Sequence, residues 1–161
     1  MDSLTKEHRS WNMSRIKGSD TTPERLVRSL LHRMGYRFRL HSKELPGRPD
    51  IVLPKHNTVI FVHGCFWHRH KGCKYAYTPK TRQAFWTNKF DSNVRRDKEV
   101  AKRLRKAGWK LIVLWECEVA ERPQHVARKV AKAIDGDASR TQRYRIPAAT
   151  ELIRIAEQRA D

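Results

Sequence analysis

Hydrophobic and polar positions recur along this chain with two different periods, and each period predicts a type of element. After the segment 21–24, TTPE, apolar residues follow at helical spacing and end at Gly35, which predicts a helix. Two N-caps fit its start. Thr22 can cap the helix ahead of Pro23, or Thr21 can form a capping box with Glu24.

Four short apolar stretches read as strands. Residues 36–40 alternate apolar side chains with arginines, which predicts a half-buried strand. Strands at 50–53 and 58–63 flank a turn at 54–57 and should pair as a hairpin. The continuous apolar run 109–115 predicts a fourth strand.

Three further stretches have helical spacing, at 81–90, 92–107 and 123–134. Asp97 falls on the apolar stripe of the second stretch, where an unpaired carboxylate would be costly, so we expect it to pair with a histidine or a metal. A last short helix is predicted from about residue 147 to 158. The order helix, three strands, helix, strand, helix predicts an α/β sandwich with a mixed central sheet.

Charge narrows the class of partner. The chain has 161 residues, 35 Lys plus Arg against 17 Asp plus Glu, and a net charge of +18. This excess favours nucleic acid as the partner, while the spread of the basic residues disfavours a membrane surface. No apolar run could span a membrane and no signal peptide is visible, so we expect a cytoplasmic protein. With DNA as its partner we expect it to be associated with the nucleoid, and we expect a monomer. We divide it into an arm at 1–20, a domain at 21–134 and a basic tail at 135–161.

Candidate metal chemistry is concentrated in the segment 59–73, VIFVHGCFWHRHKGC, an apolar strand followed by cysteines and histidines. Three cysteines without a secretory signal favour metal ligation over disulfides. The candidate ligands of a closed, structural Cys₃His zinc site are Cys65, His70, Cys73 and Cys117. Spacing alone leaves His63 and His68 open as alternatives to His70, and free buried thiols remain an alternative to the site.

A second candidate site begins at Asp50, which heads a strand next to the one that ends at His63. Pro-Asp followed by such a strand has the form of a PD-(D/E)xK nuclease core, in which Asp holds Mg²⁺ beside the scissile phosphate. The acidic-x-Lys triplet of that core is replaced here by 61–63, FVH. A histidine can act as proton acceptor in place of the lysine, and His68 or His63, held by Asp97, fits that role.

Aromatic residues accompany this chemistry. Phe66 and Trp67 stand between a cysteine and a histidine, and Trp86 follows in the next predicted helix. Core packing is the simpler explanation for Trp86 alone. In a basic protein, exposed aromatics can also wedge between base pairs and stack on them.

Five motifs resemble those of the very-short-patch repair (Vsr) mismatch endonucleases, in the same order and over roughly residues 9–118. They are RSWNMSRIKGSDTTPE, LPGRPDIVLP, VIFVHGCFWHRH, NVRRD and GWKLIVLWEC. The resemblance implies a restriction-endonuclease-like fold with a structural Zn²⁺ and a catalytic Mg²⁺. It also implies a nick in duplex DNA 5′ of the thymine in a T:G mismatch, the product of 5-methylcytosine deamination, and transient contact with other mismatch-repair proteins.

The resemblance also implies residue roles. Asp50 and the Val62 carbonyl would bind Mg²⁺, His68 would be the general base oriented by Asp97, and His63 would assist at the phosphate. Glu24 would lie close to the metal. The residues implied to intercalate or clamp the DNA are Phe66, Trp67, Trp86, Met13 and Ile16. Two other readings remain: a nuclease with another mismatch or sequence target, and a non-catalytic zinc-containing DNA-binding module.

Two positions depart from the family pattern. The family commonly has threonine where Val62 stands, so the backbone carbonyl survives and any hydroxyl role is lost. Lys71 and Gly72 separate His70 from Cys73, where the family usually has one residue. We expect Gly72 to absorb the extra residue as a bulge.

Overall fold

The computed structural model describes residues 5–136 and the isolated positions 141, 148, 150, 151 and 154. That part of the chain contains both helices and strands, and none of its helices is long and apolar enough to cross a membrane. The helices are α1 Lys6–Ser14, α2 Thr22–Arg33, α3 Gln83–Lys106, α4 Glu116–Glu121 and α5 Pro123–Asp135. The strands are β1 Arg39–Leu40, β2 Ile51–Leu53, β3 Thr58–His63 and β4 Lys110–Trp115.

The four strands form one mixed sheet in the order β1-β2-β3-β4. β1 with β2 and β2 with β3 pair antiparallel, whereas β3 and β4 are parallel over their whole length. The predicted hairpin and mixed sheet are therefore confirmed. A 3-10 turn, Pro54–His56, joins β2 to β3, and Asn57 completes it with a φ of 47°.

Alternation along β2 and β3 divides the core between the two faces of the sheet. On one face, Ile51, Leu53 and Ile60 pack against α2, α4 and α5 in the main hydrophobic cluster. On the other face, Val52 and Val59 pack with α3 in a smaller cluster. Because successive side chains of a strand point to opposite faces, this alternation builds the α/β sandwich. The parallel pairing of β3 with β4, in which His63 lies beside Trp115, places the ends of these two strands side by side.

The start of α2 follows the second of the two predicted caps. The Thr21 hydroxyl accepts a hydrogen bond from the Glu24 amide at 3.4 Å and donates to the Glu24 carboxylate at 3.1 Å. The helix ends at Arg33, and Gly35 takes a φ of 81° just beyond it, as the sequence predicted.

Some predicted bounds were wrong. The stretches 81–90 and 92–107 form one continuous helix, α3, because Asp91 and Ser92 are tolerated on its exposed side. Strand 36–40 shrinks to two residues because Tyr36 is buried in the main core instead of alternating along a sheet. Helix α4 was not predicted. The tail, including the helix expected at 147–158, lies outside the described residues apart from the isolated positions above.

Candidate active site and metal cluster

A cleft of about 1150 Å³ opens at the end of β3, between the N-terminal arm and the first half of α3. Four basic side chains line it, which suits a phosphate backbone, beside four acidic ones: Lys17, Arg48, Lys89, Arg96, Glu24, Asp50, Asp97 and Glu116. The predicted catalytic residues share this cleft: Glu24, Asp50, His63, His68 and Asp97. The structure therefore brings together all five side chains from four separate segments.

Asp50 immediately precedes β2 and points across the hairpin to β3. Its Oδ2 accepts a hydrogen bond from the Val62 amide at 2.8 Å, which holds the carboxylate beside the Val62 backbone. Burial, reinforced by the negative charge of Glu24, raises the pKa of Asp50 to about 6. Burial makes the ionised form of Asp50 unfavourable, and a bound cation would compensate its charge. Asp50 therefore fits the predicted Mg²⁺ site.

His68 and Asp97 form a short hydrogen bond, with His68 Nδ1 2.6 Å from Asp97 Oδ2. A carboxylate can only accept, so Nδ1 carries the proton and Nε2 keeps its lone pair. Asp97 thus has the histidine partner that its place on the apolar stripe predicted. This pairing is the orienter and base arrangement that general-base catalysis needs.

The His63 ring stacks on the His68 ring, with centroids 3.8 Å apart and planes 8° from parallel. Burial, and then the charge that His68 carries when protonated, lower the pKa of His63 to about 4. His63 is therefore neutral at neutral pH. A neutral neighbour lets His68 take up a proton without facing a second positive ring.

The four candidate zinc ligands also converge, with one ligand atom from each lying within 4.8 Å of the others. The His70 Nδ1 atom is 3.5 Å from Cys65 Sγ and 3.4 Å from Cys117 Sγ. Tetrahedral zinc with its usual bond lengths would separate such N and S atoms by about 3.6 Å. The donor set therefore fits zinc, and His63 and His68, which the spacing left open, belong to the other cluster.

The loop geometry explains how the extra residue fits. Gly72 adopts a φ of 73°, and the Cys73 amide donates to the His70 carbonyl at 3.2 Å. A left-handed glycine thus closes a tight turn that returns Cys73 to the cluster. Burial raises the pKa of the Cys65 and Cys117 thiols, so thiolate ligands here depend on a bound cation.

The three predicted intercalating aromatics form one half-buried group. Phe66 is central, with its ring centroid 5.1 Å from Trp67 and 5.4 Å from Trp86. Across the cleft, the arm presents Met13 and Ile16, which are 51% and 49% exposed. Large apolar side chains this exposed at a cleft are typical of a ligand-binding surface.

Sequence reasoning missed some residues of the site. Phe85 is 48% exposed and also lines the cleft, although its helical spacing gave it no functional role. Glu116 accepts a hydrogen bond from the Cys65 amide at 2.8 Å and borders the cleft, so it joins the cysteine cluster to the active site. Asp20, Arg28 and His41 surround Glu24, and no sequence spacing indicated that they would meet.

A mixed sheet that presents an aspartate and a histidine–aspartate pair in an aromatic-lined cleft defines a nuclease-type α/β protein. A model of the family described as "DNA mismatch endonuclease Vsr" matches residues 1–74. The chain belongs to this family, which also accounts for the restriction-endonuclease-like fold. It is therefore an endonuclease that acts on DNA and not a non-catalytic binding module.

Curated relatives support the assignment over most of the chain. The type II nicking enzyme V.XorIIP of Xanthomonas oryzae is 48% identical over 120 residues, 74% of this chain and 88% of the relative. The DNA mismatch endonuclease Vsr of Escherichia coli K12 is 44% identical over 117 residues, 73% of this chain and 74% of the relative. V.NmeAIP, a type II nicking enzyme of Neisseria meningitidis, is 40% identical over 139 residues, 83% and 99% of the two chains.

Proposed function

We propose that this endonuclease nicks duplex DNA 5′ of the thymine in a T:G mismatch, with Mg²⁺ at Asp50 and a structural Zn²⁺ in the Cys₃His cluster. The observation that carries the proposal is the 2.6 Å pairing of His68 with Asp97 in the cleft that also holds Asp50. A base, its orienting carboxylate and a cation-binding carboxylate are the parts that hydrolysis of a phosphodiester requires.

In this proposal the chain's own residues handle the proton and the charge. Bound Mg²⁺, held by Asp50 and the Val62 carbonyl, would stabilise charge on the phosphate and lower the pKa of a water. His68 Nε2 accepts the proton of the attacking water, and Asp97 stabilises the imidazolium that results. Neutral His63 hydrogen-bonds at the scissile phosphate, and Glu24 lies near Asp50 on the cleft wall.

Recognition of the mismatch is assigned to the two sides of the cleft. Phe66, Trp67 and Trp86 would enter the base stack from one side, while Met13 and Ile16 on the arm hold the duplex from the other. Unstacking a mismatched base pair costs less free energy than unstacking a Watson–Crick pair, which favours insertion of these side chains at the mismatch. The arm 1–20 is then a clamp on the domain 21–134, and the protein works as a monomer on nucleoid DNA in the cytoplasm.

The direct test is nicking of an end-labelled T:G duplex in Mg²⁺ by the wild type, Asp50→Ala and His68→Ala. We expect one nick 5′ of the thymine from the wild type and none from the variants. Asp91→Ala, on the exposed side of α3, is the matched control and should nick normally. Equal nicking by all four proteins would contradict the assigned roles, and nicking by none would contradict the activity.

The exact target needs a second comparison, because two of the relatives above are named type II nicking enzymes. We therefore propose a panel of all mismatches in varied flanking sequences. Preference for T:G over the other mismatches supports the proposal. Cleavage of another mismatch, or of matched DNA in one sequence, would retain the nuclease and replace its substrate.

A further inference from the structure

Four residues meet at the root of the N-terminal arm, and we call them the Arg28 cluster: Asp20, Glu24, Arg28 and His41. Arg28 Nη1 lies 2.7 Å from Asp20 Oδ1, and its Nη2 lies 3.1 Å from Glu24 Oε2. The same Nη2 is 2.9 Å from His41 Nε2. The His41 Nε2 atom also lies 3.4 Å from Asp20 Oδ1, so His41 contacts both Arg28 and the arm.

The cluster reaches Asp50 by two routes. The first route is the side chain of Glu24, a buried carboxylate that lines the same cleft as Asp50. The second route is the backbone of His41, whose amide donates to the Asp50 carbonyl at 3.3 Å. Arg28 therefore contacts both residues that adjoin the proposed Mg²⁺ ligand.

On its other side, the Arg28 cluster contacts the N-terminal arm through Asp20. Asp20 is the last residue before the α2 cap, and its amide donates to Glu24 Oε2 at 3.0 Å. Asp20 and His41 both adopt left-handed backbone conformations, with φ of 56° and 46°. Such conformations are unfavourable for residues other than glycine and persist where surrounding contacts hold them. Arg28 supplies a contact to each.

We propose that Arg28 is a positioning residue that ties the root of the DNA-clamping arm to the wall of the active site beside Asp50. The proposal rests on the proposed function. If Arg28 were lost and the arm moved, the basic residues of the arm would still reach DNA. Glu24 and Asp50, however, would no longer be held against the arm. Arg28 thus affects the rate of nicking more than the affinity for duplex.

A second metal site is the competing explanation, because Asp20, Glu24 and His41 offer ligand atoms within 4.8 Å of one another. The guanidinium of Arg28 argues against it. Arg28 already bonds all three of these residues and compensates the charge of the carboxylates. A cation would have to displace an ion pair 2.7 Å long.

The first experiment needs no activity. Hydrogen exchange of the Asp20 amide is compared in the wild type, Arg28→Met, Arg28→Lys and Asp20→Asn. Arg33→Met, an exposed arginine near the end of the same helix, is the control. We expect exchange roughly tenfold faster in Arg28→Met, a smaller increase in Arg28→Lys and Asp20→Asn, and none in the control. An unchanged Asp20 amide in Arg28→Met would overturn the tie to the arm.

The second experiment measures single-turnover nicking of a T:G duplex with Mg²⁺ and, separately, duplex binding without divalent metal. Arg28→Met should lower the nicking rate about tenfold to a hundredfold and weaken duplex binding by a smaller factor, with partial rescue in Arg28→Lys. A wild-type rate, or a loss confined to affinity, would overturn the proposal. If the wild type itself does not nick T:G DNA, the proposed function fails, and amide exchange alone decides whether Arg28 holds the arm.

Discussion

His68 Nδ1 lies 2.6 Å from Asp97 Oδ2, a hydrogen bond between a loop residue and a helix residue 29 positions later. The contact fixes the tautomer of His68 and directs its free nitrogen away from the carboxylate. The middle of α3 lies against this loop, where the Asn93 side chain also donates to the Trp67 carbonyl at 3.1 Å. In the proposed mechanism, Asp97 therefore orients His68 for proton transfer.

Asp97→Asn should therefore abolish most nicking while leaving the fold intact. An amide can present its NH₂ group to Nδ1 and favour the wrong tautomer, as well as removing the charge that stabilises imidazolium. We expect the single-turnover rate to fall by about 10²-fold to 10⁴-fold, the usual contribution of general-base catalysis. Asp91→Asn on the same helix is the control, and an Asp97→Asn enzyme with the wild-type rate would remove Asp97 from the site.

A residue of this site could be predicted where its partner is near in sequence, or where a regular helix or strand sets its position. Asp97 was predicted to need a partner because helical spacing placed it on an apolar stripe. Gly72 was predicted to absorb the extra residue because a turn is local. His41 and Arg28 were missed, since they meet through a two-residue strand and a left-handed turn that no periodicity encodes.

The same distinction explains the errors in the fold. α3 was predicted as two helices because Asp91 and Ser92 interrupt the apolar pattern, although an exposed helix side tolerates both. α4 was missed because six residues are too few to display a period, and its position depends on tertiary contacts instead. Glu118 in α4 accepts from the Trp115 amide at 3.3 Å and pairs with Lys129 of α5 at 3.1 Å.

The raised pKa of Asp50 predicts a pH dependence of stability in the absence of divalent metal. Between its unfolded value of 3.8 and its folded value of about 6, the folded state binds more protons than the unfolded one. Stability from this group is therefore present at low pH and lost as pH rises through that window. Asp50→Asn, which can still accept from the Val62 amide, should be more stable than wild type above pH 6 by up to about 3 kcal/mol.

The measurement is the difference in free energy of unfolding between wild type and Asp50→Asn, taken from about pH 3 to pH 7 in chelator. The difference should approach zero below the unfolded pKa of 3.8, where Asp50 is protonated in both states, and groups that titrate alike in the two proteins cancel from it. A constant difference across the range would contradict a buried, titrating Asp50.

The affinity of the Asp50 site for Mg²⁺ should depend on whether the same carboxyl group is protonated. Because a proton and a cation compete for one carboxylate, the apparent affinity for Mg²⁺ should fall about tenfold for each pH unit below about 6 and level off above it. Titration of the wild type with Mg²⁺ at several pH values, followed by the rise in unfolding midpoint, measures this. A midpoint shift that is independent of pH would contradict the assignment of Asp50 as a ligand.

The cysteine cluster should bind one metal ion that the fold depends on. Purified wild type should contain about one zinc per chain, and His70→Ala should contain almost none, because losing one ligand opens a closed tetrahedral site. His32→Ala, an exposed histidine on α2, is the matched control and should retain its zinc. Cys117→Ser should also lose zinc and lower the unfolding midpoint, since Cys117 joins α4 to the loop after β3. Full zinc content in either ligand variant would remove that residue from the site.

Trp67 should discriminate mismatched from matched duplex. Its ring lies 6.0 Å from Trp86 at the mouth of the cleft, and base stacking on such a ring contributes about 1–3 kcal/mol. Trp67→Ala should therefore weaken binding to a T:G duplex roughly tenfold to a hundredfold, with a smaller effect on fully paired DNA, whose bases stay stacked.

Tyr75→Ala is the control, because Tyr75 is exposed but lies outside the lining of the cleft. Fluorescence anisotropy with both duplexes at one fixed salt concentration measures the ratio, since phosphate contacts make each affinity salt-dependent. An equal loss on the two duplexes would assign Trp67 to general DNA binding, and no loss on either would leave it a packing residue.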